Sequence, residues 1–412
     1  IKIFIGHKKQ HIKKATIVVV SSAIKKDNPE LLEAKRKNLP IIKRGRMLAH
    51  IVSLMKNIVV AGSHGKTTTT SLVASIFQKT SLDPTIINGG VINSIESSAK
   101  LGRSDWSILE ADESDGSFVH ITPTYSIVTN IDREHMDFYK TIKDLKKSFC
   151  EFINKVPSFG KTFICIDDKI NKELIRDIKS KNFYTYGKNI RSNFLIKNIS
   201  QKKEMSRFDL IINLPNKKKQ IIRNIKIPLI GIHNVRNSVA AAAVALTVGI
   251  TIKDIKDGLL KFKGVQRRFN KIFSFNGINF YDDYAHHPTE IKMVLDGVKE
   301  VYKDHEKVCV FQPHRISRLR DLRKEFSFSF KNADIVILCP IYLAGEKMKL
   351  GFEYLKFAKE IIKNSKVKLF LVKDNLQLAK FIKKNIYGKK IVIGMGAGTI
   401  SNWMRKLPEL MK

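Results

Sequence analysis

Residues 58–78 read Ile58-Val-Val-Ala-Gly-Ser-His-Gly-Lys-Thr-Thr-Thr-Thr70-Ser-Leu-Val-Ala-Ser-Ile-Phe-Gln78. The apolar run Ile58–Val60 predicts a strand covered on both faces. A turn with Gly62 and Gly65 follows, then a helical pattern over Leu72–Gln78. Strand, glycine turn and helix in that order make a phosphate cradle. Glycines let backbone N–H groups wrap the anion, and the helix N-terminus adds its dipole. Lys66 then reaches the β- and γ-phosphates, and the Thr67 hydroxyl joins a Mg2+ shell. The usual spacing is G-x-x-x-x-G-K-[ST]; here Val60 stands where the first glycine would be.

Outward from this loop, short apolar runs alternate with helical patterns. Strands are predicted at Ile17–Val20, Ser107–Leu109, Ser126–Val128, Phe163–Ile166, Val308–Phe311, Ile335–Leu338, Lys368–Val372 and Ile391–Ile393. Helical segments such as Phe357–Lys363 lie between many of them, which predicts α/β units with parallel sheets. The Lys- and Asn-rich stretch Asn171–Ile227 reads as a β-rich elaboration, with strands at Phe208–Asn213 and Gln220–Ile227. Gly231–Ile250 returns to a helix, and its Ala-rich run Ala240–Leu246 suits a buried one. Gly264–Asn270 reads as a domain junction.

The chain has 412 residues, with 75 Lys+Arg against 38 Asp+Glu and a net charge of +37. Length predicts two or three domains. The positive charge is spread in short groups such as Lys217–Lys219 and Lys383–Lys384. No aromatic-interleaved or zinc-finger pattern accompanies it, so it reads as Lys-rich solvated faces rather than a nucleic-acid surface. The four cysteines (Cys150, Cys165, Cys309 and Cys339) form no C-x-x-C. That supports neither a zinc knuckle nor a disulfide framework. No apolar run is long enough to cross a membrane and no signal peptide is evident, so the expected place is the cytoplasm. No motif speaks to oligomeric state.

Two further clusters carry chemistry. Trp106–Phe118 reads WSILEADESDGSF and delivers Glu110, Asp112, Glu113 and Asp115 past the C-terminal end of a strand. His135 and Asp137 follow the next strand. In an open parallel sheet that edge binds ligands, and carboxylates beside a phosphate loop hold Mg2+. The same acids also read as solvated loop residues or helix N-caps. Farther on, FYDDYAHHPTEI (Phe280–Ile291) and FQPHRISRLRDL (Phe311–Leu322) place acids, tyrosines, histidines and Arg315, Arg318 and Arg320 at strand ends. Arginine suits bidentate grip on carboxylate or phosphate.

In these motifs the sequence resembles the Mur ligase family. The matching elements are AGSHGKTTTT, EADESDGSF, TNIDREHMDFY, GIHNVRNSVAAAAVA, GVQRRF, DDYAHHPTE, FQPHR-x-x-R-x-RDL and GMGAGTI. They follow the family order across essentially the whole chain. The resemblance implies an α/β fold of three domains. These are a truncated N-terminal Rossmann-like, UDP-binding domain (1–56), a central P-loop ATPase domain (57–268) and a C-terminal Rossmann-like ligase domain (269–412). The family's opening glycine-rich loop is not found, so several dozen N-terminal residues are expected to be missing.

The resemblance further implies ATP- and Mg2+-dependent ligation of L-alanine to UDP-N-acetylmuramate through an acyl phosphate, in peptidoglycan precursor synthesis. Residue by residue, it places Gly62, Ser63, His64, Gly65, Lys66, Thr67 and Thr68 on ATP phosphates. It places Thr67, Glu110 and His135 on Mg2+, and His233, Asn234 and Asn237 near adenine. Arg268 and Asp282 are expected to reach ATP from the C-terminal side. Tyr284, His286, Arg315 and Arg318 are expected to face substrate, and His7, Ser21 and Ser22 the UDP-sugar. Lys66, Glu110, His135, Arg315 and Arg318 carry the chemistry in this reading. The alternatives are a ligase adding a preformed peptide, an inactive fragment, or a nucleic-acid-stimulated NTPase.

Overall fold

The computed structural model describes residues 2–21, 23–346 and 353–411. The N-terminal part pairs β1 (Val18–Val20) with β2 (Ile41–Lys43) in parallel, joined by the helix Pro29–Arg36. The start of that helix is built from neighbouring residues. Pro29 occupies the first turn, and the Asn28 side chain accepts from the Glu30 and Leu31 N–H groups.

The central sheet has ten strands. In chain order they are β3 (Lys56–Ala61), β4 (Thr85–Ile92), β5 (Ser97–Lys100), β6 (Trp106–Glu110), β7 (Tyr125–Val128), β8 (Lys161–Cys165), β9 (Phe183–Gly187), β10 (Phe194–Lys202), β11 (Met205–Ile212) and β12 (Gln220–Ile227). The spatial order is β12-β11-β10-β9-β8-β7-β3-β6-β4-β5. The run from β10 to β4 is parallel, and antiparallel strands close both edges. β3 pairs with β6 on one side and β7 on the other, so the strand order reverses at its C-terminal end. A crevice opens at such a switch point, and the phosphate loop sits in it.

The stretch 171–227 therefore extends the central sheet rather than forming a separate unit. β11 alternates in burial because only one of its faces is covered. The helix Lys66–Phe77, which packs on β3, β4 and β6, is rich in Thr, a mediocre helix former. Every residue from Thr67 to Phe77 is buried, so packing against the sheet and the helix Ile232–Val248 decides its state. Ala240–Ala243 are wholly buried there, as their composition suggests.

The C-terminal sheet has six strands in the order β13-β14-β18-β15-β16-β17. They span Asn270–Phe275, Ile278–Asp283, Glu306–Phe311, Ile335–Leu338, Lys368–Leu371 and Lys390–Met395 for β13 to β18. All pairs are parallel except β13 with β14. Apolar clusters cover both faces of this sheet. The helix Pro288–Val301 connects β14 to β15 and lies against the start of the helix Ile232–Val248. A Cβ placed on Gly297 would come 2.9 Å from the Gly231 Cα. Only a residue without a side chain permits that approach.

Candidate active site at the phosphate loop

The loop 62–65 leaves β3 with Gly62 at φ +134 and Gly65 at φ +82, both in the region that favours glycine. A Cβ on Gly65 would meet Asn237 Oδ1 at 2.8 Å, and one on Gly62 would meet Thr129 Oγ1 at 2.0 Å. The turn is therefore pinned between β7 and the helix Ile232–Val248. The Ser63 N–H donates to the Asn130 carbonyl and the His64 N–H to Asn130 Oδ1, at 2.9 Å each. Thr67 and Thr68 are buried in the first turn of the following helix.

Lys66 lies along the loop. Its Nζ donates to the Gly62 carbonyl at 2.6 Å and approaches Glu113 Oε2 at 2.7 Å. Burial acts against its charge, but Glu113 and Glu110 outweigh it and hold Lys66 firmly cationic. Glu113 is fully buried; desolvation pushes it up to about 7 against the pull of Lys66. Glu113, Glu134 and His135 bring ligand atoms within 4.8 Å of one another. Burial pushes the His135 imidazole towards its neutral, ligand-competent form. Two carboxylates and an imidazole beside a phosphate cradle fit a divalent cation. Glu110 is not in that group: its Oε2 accepts from the Gly89 N–H at 2.9 Å, one strand away.

His64 joins the two halves of the cleft. Its Nε2 lies 2.9 Å from Asp132 Oδ2, and its Nδ1 lies 3.4 Å from Glu290 Oε1 on the helix Pro288–Val301. Burial disfavours its charge, yet Asp132, Glu290 and Glu134 raise it to about 10. Asp132 Oδ2 also accepts from Thr289 Oγ1 at 2.6 Å. Burial would raise Asp132, but His64, His287 and Thr289 hold it far below the usual carboxylate range. Glu290 belongs to a capping box on His287, so the start of that helix is set by the same residues that face His64.

Beyond the loop, the cleft between the two sheets is lined by Tyr186, Leu229, Ile230, Phe262, Phe269 and Val294, with Asn234, Asn237, Arg268 and Asp283 as polar points. An apolar slot with few polar groups, ending on a phosphate cradle, suits a purine nucleotide. His233 lines it too. Burial, with Arg236 and Arg268 nearby, lowers its imidazole to about 4.

Asp282, expected to reach ATP, does not line the cleft. Successive strand residues face opposite ways, and Asp282 points away from the cleft. It is fully buried, accepts from the Ser401 hydroxyl and lies 3.6 Å from Arg405. Asp283 faces the cleft instead, where burial pushes it up to about 6 against Arg268.

On the C-terminal side, Tyr284 lies under Arg267 and Arg268, at 4.6 and 5.3 Å from ring centre to guanidinium. His286 Nδ1 sits 3.0 Å from the Tyr284 carbonyl and 3.2 Å from Glu290 Oε2. Arg318 spans His314 Nδ1 at 3.2 Å and Glu134 Oε1 at 3.5 Å. Arg315 and Arg318 share a second hollow with Arg133, Glu134, His135 and Ser317. The structure thus brings His135 and the two arginines together. His7 instead pairs with Glu30 at 2.8 Å, and Ser21 Oγ accepts from the Ala23 N–H at 3.3 Å. Neither lines the two hollows of the cleft. Ser22 lies outside the described residues.

The residues that sequence reasoning left out are Asp132, Glu134, Asp283, His287, Thr289 and Glu290. Asp132 and Glu134 stand in the same IDREHMD run as His135, and their position after a buried strand is the signal that was available. Nothing local marks the pairing of Asp132 with Thr289, which lie 157 residues apart.

Residues 1–56 match the Mur ligase family catalytic domain, 60–245 the Mur ligase middle domain, and 267–398 the Mur ligase glutamate ligase domain. The chain belongs to the Mur ligase family. Within it, the chain is 72% identical to the UDP-N-acetylmuramate–L-alanine ligase of Pelagibacter ubique, over 100% of this chain and 89% of the relative. The enzyme of the same name from Rickettsia canadensis is 44% identical, over 99% and 87% respectively. Among solved structures, UDP-N-acetylmuramate-alanine ligase from Thermotoga maritima superposes with a TM-score of 0.81 at 24% identity, covering 99% of this chain and 88% of that one. That last likeness concerns the fold.

Proposed function

We propose that the chain is an ATP-dependent ligase that joins L-alanine to UDP-N-acetylmuramate, releasing ADP and phosphate, in peptidoglycan precursor synthesis. The observation that carries this reading is the 72% identity along its whole length to a ligase of that name. The reaction has two steps. The substrate carboxylate takes the γ-phosphoryl group to give an acyl phosphate, and the amine of L-alanine then displaces phosphate.

Each half of the cleft has its task. The loop 62–65, Lys66 and the N-terminus of the helix Lys66–Phe77 hold the phosphates and offset the charge that develops during transfer. His233, Asn234, Asn237 and Arg268 line the nucleotide slot, with Asp283 in the place first given to Asp282. Arg315 and Arg318 hold the carboxylate or phosphate of substrate and intermediate, with Tyr284 and His286 on the same side. His7, Ser21 and Ser22 are assigned to the UDP-sugar by family resemblance alone. Thr67, Glu110 and His135 would hold Mg2+, with Glu113 and Glu134 as further carboxylates at His135. When bound, Mg2+ neutralises charge between the transferring phosphoryl group and the carboxylate. On this reading the reaction takes place in the cytoplasm. Separately, no helix among the described residues is long and apolar enough to cross a membrane.

The test is product identity. Incubation with ATP, Mg2+, UDP-N-acetylmuramate and an equimolar mixture of L-alanine, glycine, L-serine and a tripeptide, read by mass spectrometry, should give the L-alanine adduct. A dominant tripeptide adduct would favour the peptide-adding alternative.

A further inference from the structure

The hairpin joining β10 to β11 turns at Lys203 and Glu204, both with positive φ, and closes on the pair Lys202–Met205. A two-residue turn with both central residues left-handed matches the twist of the flanking strands. Glu204 reaches the C-terminal sheet's domain there. Its Oε1 accepts from the hydroxyls of both Tyr281, on β14, and Tyr302, at the end of the helix Pro288–Val301. The two phenolic oxygens are 2.8 Å apart. Two phenolic protons thus serve three oxygens, and without the carboxylate the phenols can make only one bond between them.

What these tyrosines support gives the contact its meaning. Tyr281 is 1% exposed and stacks on Phe269 with ring centres 4.3 Å apart and planes 11° from parallel. Phe269 is a wall of the nucleotide slot, and its N–H donates to Asp283 Oδ2 at 2.8 Å. Tyr302 closes the helix that carries Val294, another wall of the slot, and Gly297, its contact with Gly231. One exposed carboxylate on the central sheet therefore ties down both C-terminal elements that form the far side of the slot.

We propose that Glu204 is a positioning residue for ATP: it latches the C-terminal domain onto the central sheet through Tyr281 and Tyr302, and so sets the width of the nucleotide slot. This rests on the ligase reading of the cleft. Glu204 is a contact on the outer side of the tyrosines and lies outside the phosphate-binding machinery.

The experiment compares wild type with Glu204→Ala, Glu204→Gln and Tyr302→Phe in L-alanine-dependent phosphate release, alongside thermal melting. Wild-type activity tests the ligase reading by itself, and the variants are judged only against it. Removing one or two net hydrogen bonds corresponds to about a fivefold to thirtyfold change. E204A and Y302F should raise KM for ATP by that factor, with kcat for saturating ATP and KM for L-alanine little changed. E204Q keeps an acceptor oxygen and should restore KM for ATP to within about twofold of wild type. The proposal is overturned if E204A leaves KM for ATP unchanged. It is also overturned if E204Q is as impaired as E204A, or if the only effect is a lower melting temperature with kcat falling for all substrates.

Discussion

Replacing Gly297 by alanine should push the two domains apart at this contact and make the chain less efficient with ATP. Gly297 lies inside the helix Pro288–Val301, where alanine is favoured over glycine by ~1 kcal/mol. Acting on that domain alone, the substitution stabilises. At the interface it does the opposite. The new Cβ would sit 2.9 Å from the Gly231 Cα and 3.1 Å from its N, whereas carbon atoms rest at about 3.5–4.0 Å. The helix must withdraw by roughly half an ångström or more. Gly231 has little room to yield, because its φ is +90 and it directly precedes the helix that carries His233 and Asn234. Misplacement of reacting groups by ~1 Å costs ~100-fold in rate, so half that shift predicts on the order of tenfold in kcat/KM for ATP. Thermal melting and ATP-dependent kinetics on the same preparation separate the two effects. Unchanged kcat/KM for ATP would refute the contact as a determinant of closure. Activity that falls only in proportion to the folded fraction would refute it as well.

Other outcomes follow from the same geometry. Lys66→Ala should abolish L-alanine-dependent phosphate release while leaving the fold intact by circular dichroism; near-normal release would remove Lys66 from the phosphate site. Arg318→Lys should lower kcat/KM by about tenfold or more, because an ammonium cannot span His314 and Glu134 as the guanidinium does; a change within twofold would count against that role. The charge on His64 has a stability signature. Its value is raised to about 10 in the folded state, so its contribution is fully present below the unfolded value of ~6.5 and is lost as pH rises through about 10. Melting temperature should therefore fall between about pH 7 and 10 more steeply for wild type than for His64→Asn, and parallel curves would show that the cluster does not stabilise.

The phosphate loop was legible because its parts are consecutive: a strand, two glycines and a lysine at the head of a helix. The helix starts at Pro29 and Pro288 likewise have their cap and first-turn residues adjacent in sequence. β4 was not, since Asn88-Gly89-Gly90 in its middle reads as a turn although the strand runs through it. β10 was hidden by Lys and Asn on its exposed face and by the irregularity between Lys197 and Ser200. The adjacent pair Asp282 and Asp283 shows a different limit. A strand alternates its faces, but which face meets the cleft depends on how β14 pairs with β18, and that pairing spans more than a hundred residues. The ring of charge around His64 is of the same kind, assembled from Asp132 on one domain and Glu290 on the other.

Coupling of ATP cleavage to the joining of L-alanine and UDP-N-acetylmuramate is what every assignment in this cleft serves. It is measured as phosphate release by the full chain with each component omitted in turn. Release is expected only when ATP, Mg2+, UDP-N-acetylmuramate and L-alanine are all present, with one phosphate per molecule of adduct. Release that proceeds without the UDP-sugar and rises on adding RNA or DNA would contradict it.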